Sequence, residues 1–336
     1  MTATFWKSEM RGLAADVARS APSPDTDTSW RIVGTEQGLD LVGLDPERGG
    51  AGGSLTDLAQ LVAGLTEEVW PSPLLELSLA QLALILSGRE PATVRTTTAF
   101  ARAGQLDVSD GRVSGQMRTV RWADTADRIV VVTDDTVLEL SLSQESVSLT
   151  PTRSLSGDPA ADVRFVDASA SELGDRGLAS VLMLRHGLLT SAALLGSLRV
   201  AYTTTRAYVE TREQFDRPLV KIKAVAAHLA RMHTLIIQSE VALSRALEIP
   251  EDASPRHLAA VATARVAAAE AATEVAHLAH RLHGAMGITM EYPLHRHTSR
   301  LWDLRDSGRT HDEWALLLAD AALSSSEAEL WDLMTG

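Results

Sequence analysis

Residues 178 to 283 are written almost wholly in helix-forming residues and are broken only twice, so three long helices must find partners in one fold. The first run, 178–211, would be about 50 Å long at 1.5 Å per residue. Ala192, Ala193, Gly196 and Ala201 give it a smooth side that permits close packing. The third, 255–283, contains ATARVAAAEAATEVAHLAHRLHGAMG, a strong helix former that closes at Gly284 as a C-cap. Between the first and second lies TREQFDRPLVKIKAVAAHLARM, residues 211–232. It reads as the end of one helix, a tight turn at Asp216-Arg217-Pro218, and the start of another. Pro218 suits the first turn of a helix, where its missing N–H costs nothing. Val220, Ala224, Ala227 and Met232 recur near helical spacing and predict the apolar face. Arg212, Arg217, Lys221 and Lys223 crowd this turn in a chain whose formal net charge is -13. A solvated corner would account for those charges on its own.

At 336 residues the chain is long enough for more than one domain. Its 45% hydrophobic and 22% charged content is that of an ordinary soluble protein. There are no cysteines, which excludes disulfides, thiolate chemistry and cysteine metal sites. The first twenty residues have no uninterrupted apolar core, and no stretch is expected to span a membrane. These features predict a cytoplasmic protein with no membrane partner. The acidic balance argues against nucleic acid as a partner.

Residues 1 to about 20 read as a helix with Phe5, Met10, Leu13, Ala14 and Val17 near one side. Gly49, Gly50, Gly52 and Gly53 break the backbone, and Ser54 or Thr56 can cap the helix that follows. That loop lacks the lysine and spacing of a phosphate cradle and reads as a structural turn. A helix is expected over 71–86. From residue 92 the character changes: TVRTTTAF, GQLDVSDGRVSGQMRTV, DRIVVVTDDTVLELSLS, SVSLTPTR and DVRFVDA alternate and are split by Asp-Gly and Asp-Asp turns. Helices around an antiparallel β insert predict an α+β protein.

Several segments resemble the acyl-CoA dehydrogenase family. Arg212, Gln214, Phe215 and Pro218 match its R-x-x-F-G-x-P corner, with Asp216 in place of the glycine and Lys223 where the family has glutamine. Residues 38–53 resemble its N-terminal helical scaffold, and DGRVSG with TVRWADTADRIVVV its middle domain. RLHGAMG before Glu291-Tyr292-Pro293 resembles its Q-x-x-G-G-x-G and E-Y-P, with Arg281 for the glutamine. The resemblance implies an N-terminal helical domain (1–90), a middle β-barrel-like domain (91–170) and a C-terminal four-helix bundle (171–336). In that family the corner and the third helix's end hold the ADP half of a partner subunit's FAD. The residues so implied here are Arg212, Gln214, Phe215, Lys223, Arg281, Gly284 and Ala285.

The departures from the family pattern lie elsewhere. The T-E-P-x-x-G-S-D-like segment that lines the flavin is absent, and RTTTAFARAGQL stands there. Thr97 and Thr98 have hydroxyls, but in a strand they read as β-propensity choices. Counting from Pro293, Thr310 meets the family threonine and Gly308 takes the place of the catalytic glutamate. The alternative base position falls at Arg185 or His186. Asp306 and Glu313 are the nearby acids, read as solvated charges unless the local path differs. His277, His280 and His283 drift round one helix over about 9 Å, and with His295 and His297 they form no zinc signature, so no metal is expected. The pattern resembles the non-catalytic subunit of heteromeric α2β2 acyl-CoA dehydrogenases of actinobacterial steroid side-chain degradation. It implies FAD shared with a homologous catalytic subunit, an acyl-CoA held mainly by that partner, and an electron-transfer flavoprotein. Two alternatives stay open: a homomeric dehydrogenase or oxidase using an acid such as Asp306, and a flavin-free scaffold.

Overall fold

The computed structural model describes residues 9–324 and Ser326; Phe5, expected on the first helix, lies outside that range. The N-terminal layer holds α1 (Glu9–Ser20), α2 (Thr26–Trp30), α3 (Leu55–Glu67) and α4 (Leu74–Leu86). Of the two residues able to cap α3, Ser54 does so: its Oγ accepts from the Asp57 N–H at 3.2 Å, and Asp57 accepts in return from the Ser54 N–H at 2.8 Å. Helix α4 starts three residues later than expected, after Pro73, and is buried along nearly its whole length.

The middle of the chain forms two four-stranded sheets. One is ordered β1 (Thr96–Phe100), β4 (Arg128–Val132), β5 (Thr136–Ser141), β8 (Ser171–Asp175). The other is β2 (Leu106–Ser109), β3 (Arg112–Arg121), β7 (Pro159–Ser169), β6 (Val147–Arg153). One pairing departs from the antiparallel expectation: β1 runs parallel to β4, in register from Thr96 opposite Arg128. Strand β4 is apolar on both faces because it is a wall shared by two cores. Ile129 and Val131 pack with Val113, Met117, Leu138, Val163 and Phe165 between the sheets. Val130 and Val132 point the other way, into the helical core.

Asp175 ends β8 and caps α5 (Arg176–Thr211), accepting from the Gly177 N–H at 2.9 Å. This helix is long and apolar enough to cross a membrane, contrary to the sequence expectation, but 78% of its apolar window is buried inside the protein. It is the central post against which α3, α4, α6 (Lys223–Leu247), α7 (Pro255–His283) and α8 (Leu294–Arg305) pack. Gly196 permits the α3 crossing, since a Cβ there would stand 2.3 Å from the Ala63 carbonyl oxygen. Helix α9 (His311–Ser324) lies on α7.

The corner differs from its prediction. Pro218 does not begin a helix. It sits in β10 (Arg217–Pro218), paired with β9 (Glu213–Gln214), and α6 starts only at Lys223 after one 3-10 turn. Ala224 and Ala227, expected on the apolar face, are exposed; Leu229, Met232, Leu235, Ile236 and Leu243 form the buried face instead.

Candidate functional site

The two-residue hairpin that joins α5 to α6 turns at Phe215 and Asp216, both left-handed, with φ of 55° and 59°. Left-handed backbone at both turn residues matches the twist of paired strands, but it favours Asn-Gly over Phe-Asp. The ends are tied by the Arg212 N–H to the Tyr208 carbonyl and by the Leu219 N–H to the Arg212 carbonyl, each 2.8 Å. The Phe215 ring is 81% exposed. Arg212, Gln214, Arg217, Lys221 and Lys223 are exposed too. Among the described residues none of those four cations has a carboxylate within salt-bridge distance.

The end of α7 meets this corner. Tyr208, one helical turn before Arg212, donates its hydroxyl hydrogen to the His283 carbonyl at 3.4 Å. Arg281 is exposed in the last turn of α7, Gly284 caps the helix with φ 58°, and Ala285 follows at the surface. The fold therefore brings the predicted residues at 212–223 and 281–285 to one side of the molecule.

A separate cleft of about 760 Å³ opens between the β sheets and the helices, lined in part by Phe100, Arg102, Met117, Arg121, His186 and Gly308. The two candidate hydroxyls do not face it as free donors. Thr97 Oγ1 donates to the Arg121 carbonyl at 2.7 Å and Thr98 Oγ1 to the Glu76 carbonyl at 2.8 Å. On one wall Arg121 reaches three carboxylates: Nε to Glu76 at 2.7 Å, Nη2 to Asp158 at 2.7 Å and Nη1 to Asp303 at 2.6 Å. Arg300 adds a second guanidinium, 3.1 Å from Asp158. Burial acts to raise the Asp158 pKa, but Arg300 and Arg121 outweigh it and hold the carboxyl below its ordinary value. For Glu76 burial prevails over Arg121 and pushes the pKa up. This cluster ties α4, β3, the β6–β7 turn and α8 together. Its members lie far apart in the chain, and sequence reasoning missed it; only a partner-less acid such as Glu76 within an apolar helix hinted at it.

Neither position where the resemblance implies a base, Gly308 or the Arg185-His186 pair, carries a carboxylate. Gly308 has φ 66°, and a Cβ there would be 2.5 Å from His186 Cε1. The His186 ring lies against Phe100, centroids 4.5 Å apart, with Nε2 3.4 Å from both Thr190 Oγ1 and Ser307 Oγ. Burial, helped by Arg265 and Arg121, lowers its pKa to about 3, so the imidazole is neutral and a poor base. Arg185 is buried and engaged with Glu251, Nε to Oε1 at 2.8 Å. Asp306 is gripped by Arg305 through two 2.8 Å hydrogen bonds. Glu313 accepts from the Thr310 N–H at 2.6 Å and its hydroxyl at 2.9 Å. Burial acts to raise the Glu313 pKa, but these bonds and Arg102 and Arg309 bring it below its ordinary value. Thr310 and Glu313 thus form the cap of α9, so Glu313, expected as a solvated charge, is committed to the backbone instead.

The histidines considered for zinc are dispersed. His280 Nε2 meets Thr298 Oγ1 at 2.8 Å, His283 Nδ1 the Ala279 carbonyl at 2.8 Å, and His295 Nδ1 the Tyr292 carbonyl at 2.9 Å. Among the described residues, no three His, Asp or Glu side chains are gathered as a metal would need.

The family profile described as "Acyl-CoA dehydrogenase, C-terminal domain" matches residues 179–301, which run from α5 to α8. Acyl-CoA dehydrogenase IpdE2 of Mycobacterium tuberculosis (strain ATCC 25618 / H37Rv) is 30% identical over 295 residues, covering 86% of this chain and 85% of the relative. The chain belongs to the acyl-CoA dehydrogenase family. Two solved structures share the acyl-CoA dehydrogenase fold. The ChsE4-ChsE5 complex from Mycobacterium tuberculosis superposes with TM-score 0.83 and 21% identity, covering 96% of this chain and 100% of that one. The Tcur3481-Tcur3483 steroid ACAD G363A variant has TM-score 0.83 and 24% identity, covering 94% and 97%. The helical, sheet-containing and helical parts in chain order are thus those of an acyl-CoA dehydrogenase, an oxidoreductase and flavoprotein family.

Proposed function

We propose that this chain is the non-catalytic subunit of a heteromeric acyl-CoA dehydrogenase, and that it walls the ADP side of an FAD whose ring lies in a homologous partner. The observation that supports this reading is Gly308, where the resemblance expects the family's carboxylate, with the His186 ring against it and no room for a side chain. Dehydrogenation needs a base within hydrogen-bond reach of the α-proton. Gly308 has none, and Asp306 and Glu313 are each committed to other groups.

The family's cofactor, FAD, fits one region and not the other. The exposed guanidiniums of Arg212 and Arg281, which have no carboxylate partner among the described residues, can each grip a pyrophosphate oxygen pair with charged hydrogen bonds. Gly284, with open space where a Cβ would be, admits the phosphates close to backbone, beside Ala285. Lys223 adds a point charge, and Gln214 and the Phe215 ring are positioned to meet the nucleotide or the subunit that holds it. An aromatic residue held left-handed and exposed costs on the order of 1–3 kcal/mol, a cost typical of ligand clamps. In this chain's own cleft the Thr97 and Thr98 hydroxyls are already spent and the Arg121 cluster presents carboxylates. That lining does not suit a flavin ring.

Bound FAD would supply the hydride acceptor for the β-carbon of an acyl thioester. Here this chain's residues would hold the nucleotide tail, while the partner supplies the α-proton acceptor and most of the acyl-CoA pocket. An α2β2 assembly, an electron-transfer flavoprotein as oxidant, a steroid side-chain thioester as substrate and a cytoplasmic setting complete the reading. The test is flavin content. The chain purified alone should be colourless, and Arg212→Ala with Arg281→Ala should strip FAD from the co-purified complex. A yellow chain that alone oxidises an acyl-CoA, or undiminished flavin in the double variant, refutes it.

A further inference from the structure

The two halves of the basic wall are about seventy residues apart in sequence, yet three rings are packed between them. Tyr208, on the last turns of α5, stacks on His283 at the end of α7, with centroids 4.4 Å apart and planes 24° apart. Tyr292, from the loop before α8, closes on both: 4.9 Å from His283 and 5.9 Å from Tyr208, edge-on to the latter. The Tyr208 hydroxyl donates to the His283 carbonyl, and His283 Nδ1–H donates to the Ala279 carbonyl one turn back. That second bond fixes the proton on Nδ1. Burial lowers the His283 pKa, with His280 acting in the same direction, so the ring stays neutral and stacks as an aromatic group.

Arg212 follows Tyr208 by one helical turn and its N–H is bonded to the Tyr208 carbonyl. Arg281 precedes His283 by two residues and Gly284 follows it. Helix ends fray unless something holds them. A guanidinium on a frayed end must be ordered when it binds, and that ordering costs side-chain entropy. Rings bridging the two ends remove part of that cost before any nucleotide arrives.

We infer that Tyr208, His283 and Tyr292 are positioning residues that clamp the α5 corner to the end of α7, so that Arg212 and Arg281 meet one pyrophosphate together. The inference rests on the function proposed above and adds residues that touch no cofactor themselves. It differs from a general packing role in what it affects: the free energy of nucleotide capture, through geometry and not through charge.

The experiment uses the co-purified complex and reads FAD dissociation from flavin absorbance over a range of salt concentrations. Tyr208→Leu and His283→Ala are each expected to raise the FAD dissociation constant about tenfold, equivalent to about 1.4 kcal/mol. The salt dependence should keep its wild-type slope, because every cation remains. Arg212→Ala should weaken binding and flatten that slope. Tyr208→Phe, which keeps the ring, should restore near wild-type retention. Tyr292→Leu, outside both helices, carries the same expectation if His283→Ala prevents assembly. Wild-type flavin retention in the ring variants would overturn the clamp while leaving the function intact, provided the arginine variants still lose FAD. Retention in the arginine variants as well would overturn the function itself.

Discussion

The His186 imidazole lies against Gly308: a single methyl group placed on residue 308 would stand 2.5 Å from His186 Cε1. Gly308 and His186, each at a position where the resemblance implies a base, are therefore packed together, one as a bare backbone and the other as the ring that covers it. Placing a carboxylate at residue 308 requires making room at His186.

Gly308→Ala is expected to destabilise the protein by about 1–3 kcal/mol, from overpacking and a left-handed φ of 66°. In a His186→Ala background the same change should cost measurably less. Urea unfolding of the four proteins gives the coupling energy, and strict additivity would show that the two residues are not in contact.

Arg121→Met should be among the most damaging single changes, at about 3–5 kcal/mol, because it leaves Glu76, Asp158 and Asp303 together with only Arg300. A thermal melt is the check. A shift no larger than that of an exposed salt-bridge variant such as Arg206→Ala would contradict the role assigned to the cluster.

Acid should weaken the fold well above the carboxylate range. The unfolded chain takes up a proton at each histidine near pH 6.5, whereas folded His186 resists to about 3 and His297 to about 4. The unfolded state therefore binds more protons below pH 6.5, and each of these two groups removes about 1.4 kcal/mol of stability per pH unit until its folded value is reached. The lowered Asp158 pKa adds its own loss only below its ordinary 3.8. Urea midpoints between pH 7 and 4.5 should fall steadily, and His186→Gln should make the decline shallower.

Asp306→Asn in the assembled enzyme should leave turnover within about twofold, since that carboxylate is exposed and held by Arg305. A loss of a hundredfold or more, measured with acyl-CoA and an electron acceptor, would make this chain catalytic.

The legible features were those with a local cause. Helices α5 and α7 follow from long stretches of helix formers with an Asp or Ser cap before them and, for α7, a glycine after. The strands follow from alternation. The corner's hairpin was not legible, because Phe215-Asp216 is not a sequence that favours left-handed turns and Pro218 suits a helix start equally well. The parallel β1–β4 pair was hidden for a related reason: a period of two says that a strand exists, not which neighbour it takes.

By itself, then, the sequence determined the order of helical and sheet-forming segments, the family they resemble, and a glycine at residue 308 where that resemblance expects a carboxylate. All of these depend on residue type or on spacings within one element. Tertiary structure alone decided that His186 covers Gly308 from 122 residues away, that Arg121 draws carboxylates from α4, the β6–β7 turn and α8, and that Tyr208 and His283 join the two basic ends. Contacts of that kind arise from how α5 is buried among its neighbours, and no periodicity along the chain encodes them.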